Sequence, residues 1–433
     1  MNPNRLQVGI DFSHKRADVC LLDPEGQILV DHQAFANSQQ GYQQVRQVLL
    51  ESVRRHAFAG VDVSGEATSY YWFPYFWQLA HDAELAAYDL SLFLLNPRQV
   101  RWFKQSLPPD DKADQTDPFY IAERTRTRRP KAAWDPQDDW LPLRFYTRLR
   151  FHLAQALTRE KNYYLVHLFL LHSAYRRNQP FSDPFGVTSQ KVLGGERSLA
   201  ELAKLPLEEL AEQLDEWSAG KLDDPLETAA QLQQVAQESF PLEEPLLSPV
   251  QHLLELTGEH IRFLEAQMQQ VEGWFAAEVE HHHPEVLFLA TVPGVGLVLA
   301  AGIAAEIGDL ERFFQTPKWD KKHKRYRSKT LREVEDAVAK LAGLWWPRSD
   351  SGDFVAEDRR LAKTGNRYLR YYFVQAANGM RRHIPAYARF YGLKFRQATR
   401  HKHKRALVLT ARKSIGLFVG LLHRKEAYRS KEG

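Results

Sequence analysis

Three short β-favouring runs open the chain, at residues 7–11, 17–22 and 27–35, broken by polar turns such as Asp23-Pro24-Glu25-Gly26. Runs spaced this way predict a three-strand meander. A helical stretch follows, roughly Gln40 to His56, and then a buried strand, Ala59 to Val63. An aromatic helix from about Tyr70 to His81, another strand at Leu90 to Leu95 and a helix from about Pro97 complete the pattern. A meander followed by alternating strands and helices predicts a mixed sheet with helices packed on it.

The 433 residues exceed what one hydrophobic core supports, so further domains are expected. From Leu153 to Tyr175, and again from Leu254 to Phe275, apolar residues step by threes, fours and sevens. Two long amphipathic helices of this kind can pair as an arm, either within one chain or as a coiled coil between two. Residues 176–248 between them are rich in Asp, Glu, Leu and Pro and read as a helical insertion. After Pro284 a second compact domain begins, mostly helical, interrupted by a polar segment at 316–330 that reads as an exposed loop. The expected organisation is an α/β domain over residues 1–135, a helical arm with its acidic insertion over 136–283, and a basic domain over 284–433.

Charge is distributed unevenly. Residues 311–433 hold 31 basic and 11 acidic side chains (net +20), while residues 1–310 hold 27 and 43 (net −16). From Arg359 to Lys425 there are 18 Lys or Arg and no Asp or Glu, a field that calls for a polyanion. The single cysteine, Cys20, allows no intrachain disulfide and suits the cytosol. The polar start lacks the apolar stretch of a signal peptide, and no run approaches the roughly 18 apolar residues of a membrane span. A cytoplasmic, unanchored protein is expected.

Four acids carry the chemistry of the first domain. Asp11 ends the first strand and Glu66 follows the next buried one. The strand pattern matches a ribonuclease H-like order, in which the first and fourth strands are neighbours, so these two acids should meet. Asp114 and Asp117, three apart, share a helical face if that segment is helical. Converging acids repel unless divalent cations bind between them, and hard oxygen ligands favour Mg²⁺ or Mn²⁺. Two such ions can assist both the attacking and the leaving oxygen in phosphoryl transfer. Each acid singly also has a plain structural reading: Asp11 as a turn residue, Glu66 as a solvated one, Asp117 as the cap of a helix opened by Pro118.

At the other end, Ser351-Gly352 sits in Pro347-Arg-Ser-Asp-Ser-Gly352, a loop between helical stretches. A serine hydroxyl can attack a phosphodiester and store the bond energy in a covalent intermediate, given a base or metal to activate it. It can equally be an ordinary turn residue. Its context is Lys363-Thr-Gly-Asn-Arg-Tyr-Leu-Arg370, where Lys363, Asn366, Arg367 and Arg370 can engage a nucleic acid and Gly365 allows close backbone approach. The turn Pro293-Gly-Val-Gly296 resembles the hairpin of helix-hairpin-helix modules, whose amides meet a phosphate; a tight packing turn explains Gly294 and Gly296 as well.

In combination the motifs resemble a known family. Val8-Gly-Ile-Asp11, Gly65-Glu66 and Lys112-Ala-Asp-Gln-Thr-Asp117 are similar to the Asp-Glu-Asp-Asp signature of the DEDD transposases of the insertion-sequence one-ten family, related to the Piv and MooV invertases. Val292-Pro-Gly-Val-Gly296, Ala305-Glu-Ile-Gly308, Ser351-Gly352 and Lys363 to Arg370 resemble its second domain in order. The resemblance implies a RuvC-like domain, a coiled-coil arm and a transposase domain whose serine becomes linked to DNA. It implies Asp11, Glu66, Asp114 and Asp117 as ligands of Mg²⁺ (or Mn²⁺) and Ser351 as nucleophile. It further implies a homo-oligomer, a dimer or tetramer, in which one subunit's serine meets another's metal site, and a structured guide RNA that pairs with donor and target DNA. Pro118, the acidic insertion and the polar expansion around 316–335 depart from the family pattern. The first reading is therefore an RNA-guided DNA transposase or recombinase. The alternatives are a RuvC-like nuclease that hydrolyses branched nucleic acid with the acids alone, and a catalytically dead nucleic-acid-binding scaffold.

Overall fold

The computed structural model describes residues 4–106, 117–130, 133–193, 199–320, 322–347, 350–351, 354–355, 361–362 and 364–430. The chain divides into two compact units, Met1–Asp138 with Thr316–Ser328, and Asp139–Gln315 with Lys329–Gly433.

In the first unit β1 (Arg5–Phe12), β2 (Arg16–Leu22) and β3 (Ile28–Ala36) form the expected antiparallel meander. Helix α1 (Gln39–His56) follows, its first turn capped by Ser38, which accepts a hydrogen bond from the Gly41 amide at 3.2 Å. Then come β4 (Gly60–Glu66), α2 (Phe73–Ala80), α3 (Ala83–Ala86), β5 (Leu90–Leu95), α4 (Pro97–Gln105) and α5 (Asp117–Thr127). The sheet order is β3-β2-β1-β4-β5, with β4 parallel to both β1 and β5. Strand β4 extends three residues beyond the predicted 59–63 because Ser64, Gly65 and Glu66 pair with Phe93, Leu94 and Leu95 of β5.

Alternation along the strands gives the sheet two distinct faces. Leu6, Val8, Ile10, Phe12, Val61 and Val63 pack against Val45 and Leu49 of α1 and Tyr75 and Phe76 of α2. Helix α5 covers the other face, where Ala122 meets Cys20 and Leu22, and Ile121 meets Phe93 and Leu95. The odd-numbered residues of β1, including Gly9 and Asp11, therefore face α5.

The second unit is built on α6 (Leu141–Leu171). Five shorter helices follow in the insertion: α7 (Tyr175–Asn178), α8 (Val187–Leu193), α9 (Leu199–Leu202), α10 (Leu207–Ser218) and α11 (Pro225–Glu238). Helix α12 (Leu247–His282) returns along α6, with ion pairs Arg150–Glu272 at 3.0 Å and Lys161–Glu265 at 2.7 Å. The predicted apolar stripes are used within the chain: Tyr164, Leu168, Leu254 and Ile261 are buried in one cluster with Leu210, Leu214 and Leu232 of the insertion. The acidic insertion thus shares one core with the arm helices.

Helices α13 (Val286–Ala290), α14 (Leu297–Ile307) and α15 (Glu311–Gln315) come next. The segment read as an exposed loop contains instead a hairpin, β6 (Lys318–Asp320) and β7 (Arg325–Arg327), which groups with the first unit. Helix α16 (Leu331–Leu341), the short hairpin β8 (Asp350–Ser351) and β9 (Phe354–Val355), α17 (Arg367–His383), α18 (Pro385–Gln397) and α19 (Lys402–Arg424) complete the unit. Although α19 is long and apolar enough to cross a membrane by length and composition, Ala411, Ile415 and Phe418 are fully buried in the helical core.

Candidate active site

Three of the four predicted acids come together at one rim of the sheet. The parallel register pairs Ile10 with Gly65, so Asp11 and Glu66 are the next residues on neighbouring strands and point to the same side. That side is the one α5 covers, and α5 begins at Asp117. Gly9 explains how the helix comes so close: a Cβ there would lie 2.0 Å from the Pro118 carbonyl oxygen and 2.5 Å from the Ala122 amide nitrogen. The backbone of α5 thus rests directly on β1, two residues from Asp11. Ser64 and Thr125 share a hydroxyl hydrogen bond of 2.6 Å beneath the same helix.

The electrostatics record this convergence. Burial, reinforced by the like charges of Asp11 and Asp117, pushes the Glu66 carboxyl up to about 7. A weak hydrogen bond from Thr68 Oγ1 (3.4 Å) and the positive charge of Lys104 act in the opposite direction. Lys104 of α4 forms an ion pair with Asp117 and lies 5.2 Å from the Tyr120 ring centre, so a cation on a flexible stem sits beside the carboxylates. Sequence reading did not single out Lys104; a lone lysine ten residues before the acidic motif gives no signal without the fold.

Among the described residues no three metal-ligating side chains form a closed set as they stand. Asp114 and the rest of Lys112–Thr116 lie outside the described residues, so the one-face argument for Asp114 and Asp117 stays an expectation. The donor chemistry nevertheless fits a hard divalent cation: oxygen ligands only, with burial first and the neighbouring charges of Asp11 and Asp117 second in raising the proton affinity of Glu66, a cost that a positive ion would relieve.

A substitution at Gly9 tests this geometry. Gly9→Ala should force α5 away from β1 and cost about 1–3 kcal/mol. Urea melts check it; a variant as stable as the parent would show that α5 has room to spare.

The second unit arranges the remaining candidates. Ser351 is in β8, paired with Phe354 of β9, so the segment read as a loop includes a short hairpin; Gly352 and Lys363 lie outside the described residues. Asn366 caps α17, its Oδ1 accepting from the Tyr368 and Leu369 amides at 2.9 and 3.1 Å, while its Nδ2 donates to Glu306 at 2.5 Å. Glu306, only 3% exposed, also receives Arg148 Nε and Nη2 at 2.7 and 2.9 Å. This Arg148–Glu306–Asn366 lock ties α6, α14 and α17 together, and neither charged partner was singled out from the sequence. Arg367 is exposed and stacks on Tyr368, 4.8 Å from its ring centre, whereas Arg370 is partly buried and donates to the Ala342 carbonyl at 3.2 Å.

The two glycines of the 293–296 turn differ. Gly294 has φ +81°, and a Cβ on it would meet the Gly379 carbonyl carbon at 2.5 Å, so it serves close packing on α17. Gly296 opens α14 and faces open space.

A sheet of this order with acids on its first and fourth strands is consistent with the ribonuclease H-like, RuvC-like class of nucleic-acid enzymes. Residues 8–172 match the DEDD transposase model of the IS110 family, and residues 330–392 match the model described as transposase of the IS116/IS110/IS902 family. The two matches, one in each half of the sequence, together span more than half of the chain, which belongs to the IS110 family of transposases, enzymes that cut and rejoin DNA. A comparison with curated proteins gave no match.

Proposed function

We propose that this transposase breaks and rejoins DNA through a covalent serine intermediate, with Ser351 as nucleophile and Asp11, Glu66, Asp114 and Asp117 holding Mg²⁺ or Mn²⁺. The observation that carries the reading is the placement of Asp11, Glu66 and Asp117 around one rim, where burial and, after it, the two neighbouring charges raise the proton affinity of Glu66. Bound there, a divalent cation would supply positive charge to the phosphodiester oxygens as they become more negative. Ser351 Oγ attacks phosphorus, its proton passes to a nearby base, and the leaving sugar oxygen departs with the bonding electrons and is protonated. Attack by another strand's hydroxyl on the phosphoserine then forms the new joint and frees the serine.

The acid-free segment from Arg359 to Lys425 suits the DNA backbone, with Lys363, Arg367 and Arg370 as phosphate contacts. Gly296, which faces open space, and Gly352 are the glycines assigned to backbone approach to DNA, while Asn366 and Gly294 act by positioning α17 and the α13–α14 turn. The family resemblance supports a homo-oligomer in which serine and acids come from different subunits, and a structured guide RNA that pairs with donor and target DNA.

Ser351→Ala is expected to abolish the covalent protein–DNA adduct on denaturing gels and strand exchange with it, while DNA affinity stays within about twofold of the parent. Undiminished exchange removes the serine from the mechanism. Cleavage that persists without an adduct would favour hydrolysis by water at the carboxylates.

A further inference from the structure

The β6–β7 hairpin plays no part in the site described above, yet its composition and geometry are unusual. Residues 318–327 hold six Lys or Arg and a single acid, Asp320. Trp319 pairs directly across the strands with Tyr326, so both rings stand on one face of the hairpin. They meet edge to face with centres 5.1 Å apart and are 47% and 68% exposed. Lys318 opposite Arg327 and Asp320 opposite Arg325 occupy the other face. The acid is engaged in the turn: its carboxylate accepts from the Lys322 and His323 amides at 3.0 and 3.3 Å and lies 2.9 Å from His323 Nδ1. Lys322, Lys324 and Arg325 are exposed around it.

Two large aromatic rings held in water lose the free energy that burial would return, so a strand pair that presents them side by side is organised for contact with something outside the chain. The surrounding charge selects a polyanion over an apolar protein surface. Ring faces then select within polyanions. In a duplex the bases already stack on one another, whereas an unpaired base has a free π-face that Trp or Tyr can cover.

We propose that the β6–β7 hairpin is a binding site for unpaired DNA, with Trp319 and Tyr326 as the stacking platform and Lys322, Lys324 and Arg325 as phosphate contacts. Strand breakage and rejoining exposes unpaired ends, and the hairpin groups with the unit that carries the carboxylates. The choice of DNA over RNA rests on the family activity. The site itself depends on neither the serine nor the metal.

Binding by the full chain, read by fluorescence anisotropy without any strand exchange, tests it separately from the catalytic reading. The probes are a thymidine oligonucleotide of about 20 residues, a duplex of the same length and the matching uridine oligonucleotide. For Trp319→Ala/Tyr326→Ala the dissociation constant for the thymidine strand should rise at least about tenfold, with duplex affinity within about twofold of the parent. Trp319→Phe/Tyr326→Phe should keep most of the affinity because the ring faces remain. Since both rings are exposed, the alanine pair should fold normally, as a circular-dichroism melt will show. Unchanged binding of the thymidine strand overturns the site, an equal loss on duplex overturns the preference for unpaired bases, and tighter, ring-dependent binding of uridine overturns DNA as the ligand.

Discussion

Glu66→Gln should act in opposite directions on activity and stability. Strand transfer is expected to fall about a thousandfold or more, equivalent to roughly 4 kcal/mol of transition-state stabilisation, because one carboxylate leaves the cluster. In chelator, however, the variant should be the more stable protein at pH 8. Burial and the charges of Asp11 and Asp117 hold the Glu66 carboxyl at about 7 in the folded chain, against an ordinary 4.5. The folded state therefore binds this proton more tightly than the unfolded state, and stability declines as pH rises from about 4.5 through about 7, staying low above that. The substituted amide has no charge to crowd, so the variant escapes the decline. Because Glu66 retains some contact with water, the gain should be on the order of 1 kcal/mol, or roughly 2–4 °C in melting temperature. At pH 4.5 the two proteins should melt together. Millimolar Mg²⁺ should then raise the melting temperature of the parent more than that of the variant. A variant less stable than the parent at pH 8, or one retaining strand transfer within tenfold, would show that Glu66 is not part of a crowded acidic site.

The largest loss of stability is expected at Glu306. Its carboxylate is almost fully buried and receives two hydrogen bonds from Arg148 and one from Asn366. Glu306→Ala removes the shared acceptor, leaving the guanidinium and the amide without this partner between three helices, and should cost about 3 kcal/mol. Urea unfolding of the helical unit reads this directly. Glu306→Gln keeps an acceptor oxygen and should lose about half as much. A cost under about 1 kcal/mol for alanine would mean that water reaches the lock. The consequence for function is indirect: Asn366 opens α17, and the arginines Arg367 and Arg370 follow it within its first turn. Loosening the cap should therefore weaken DNA binding without touching the carboxylates.

Both predictions concern residues whose meaning depended on different levels of structure. Glu66 was legible early, because the run Ala59 to Val63 reads as a buried strand and the first and fourth strands of this sheet order are neighbours. The register that brings Glu66 level with Asp11, and the close approach of α5 across Gly9, follow only from the paired backbone. Glu306 stands in Ala305-Glu-Ile-Gly308 with no local sign of its role, since its partners lie 158 and 60 residues away. The hairpin at 318–327 was hidden for a related reason: its lysines and arginines read as solvated loop, and the pairing of Trp319 with Tyr326 became visible only once the strands were aligned.

Local patterning determined what depends on neighbours in the chain: the meander, the alternation of strands and helices, the two amphipathic stripes and the uninterrupted basic segment. Period and charge are properties of short windows, so a single sequence displays them. Tertiary structure decided what depends on distant partners: which face of the sheet α5 covers, that burial together with the charges of Asp11 and Asp117 holds a proton on Glu66 near neutrality, that the stripes are buried within one chain, and that Asn366 is held as a cap by Glu306. Those outcomes turn on distances of a few ångströms between residues far apart in sequence, where burial and charge interact through space and leave no periodic trace along the chain.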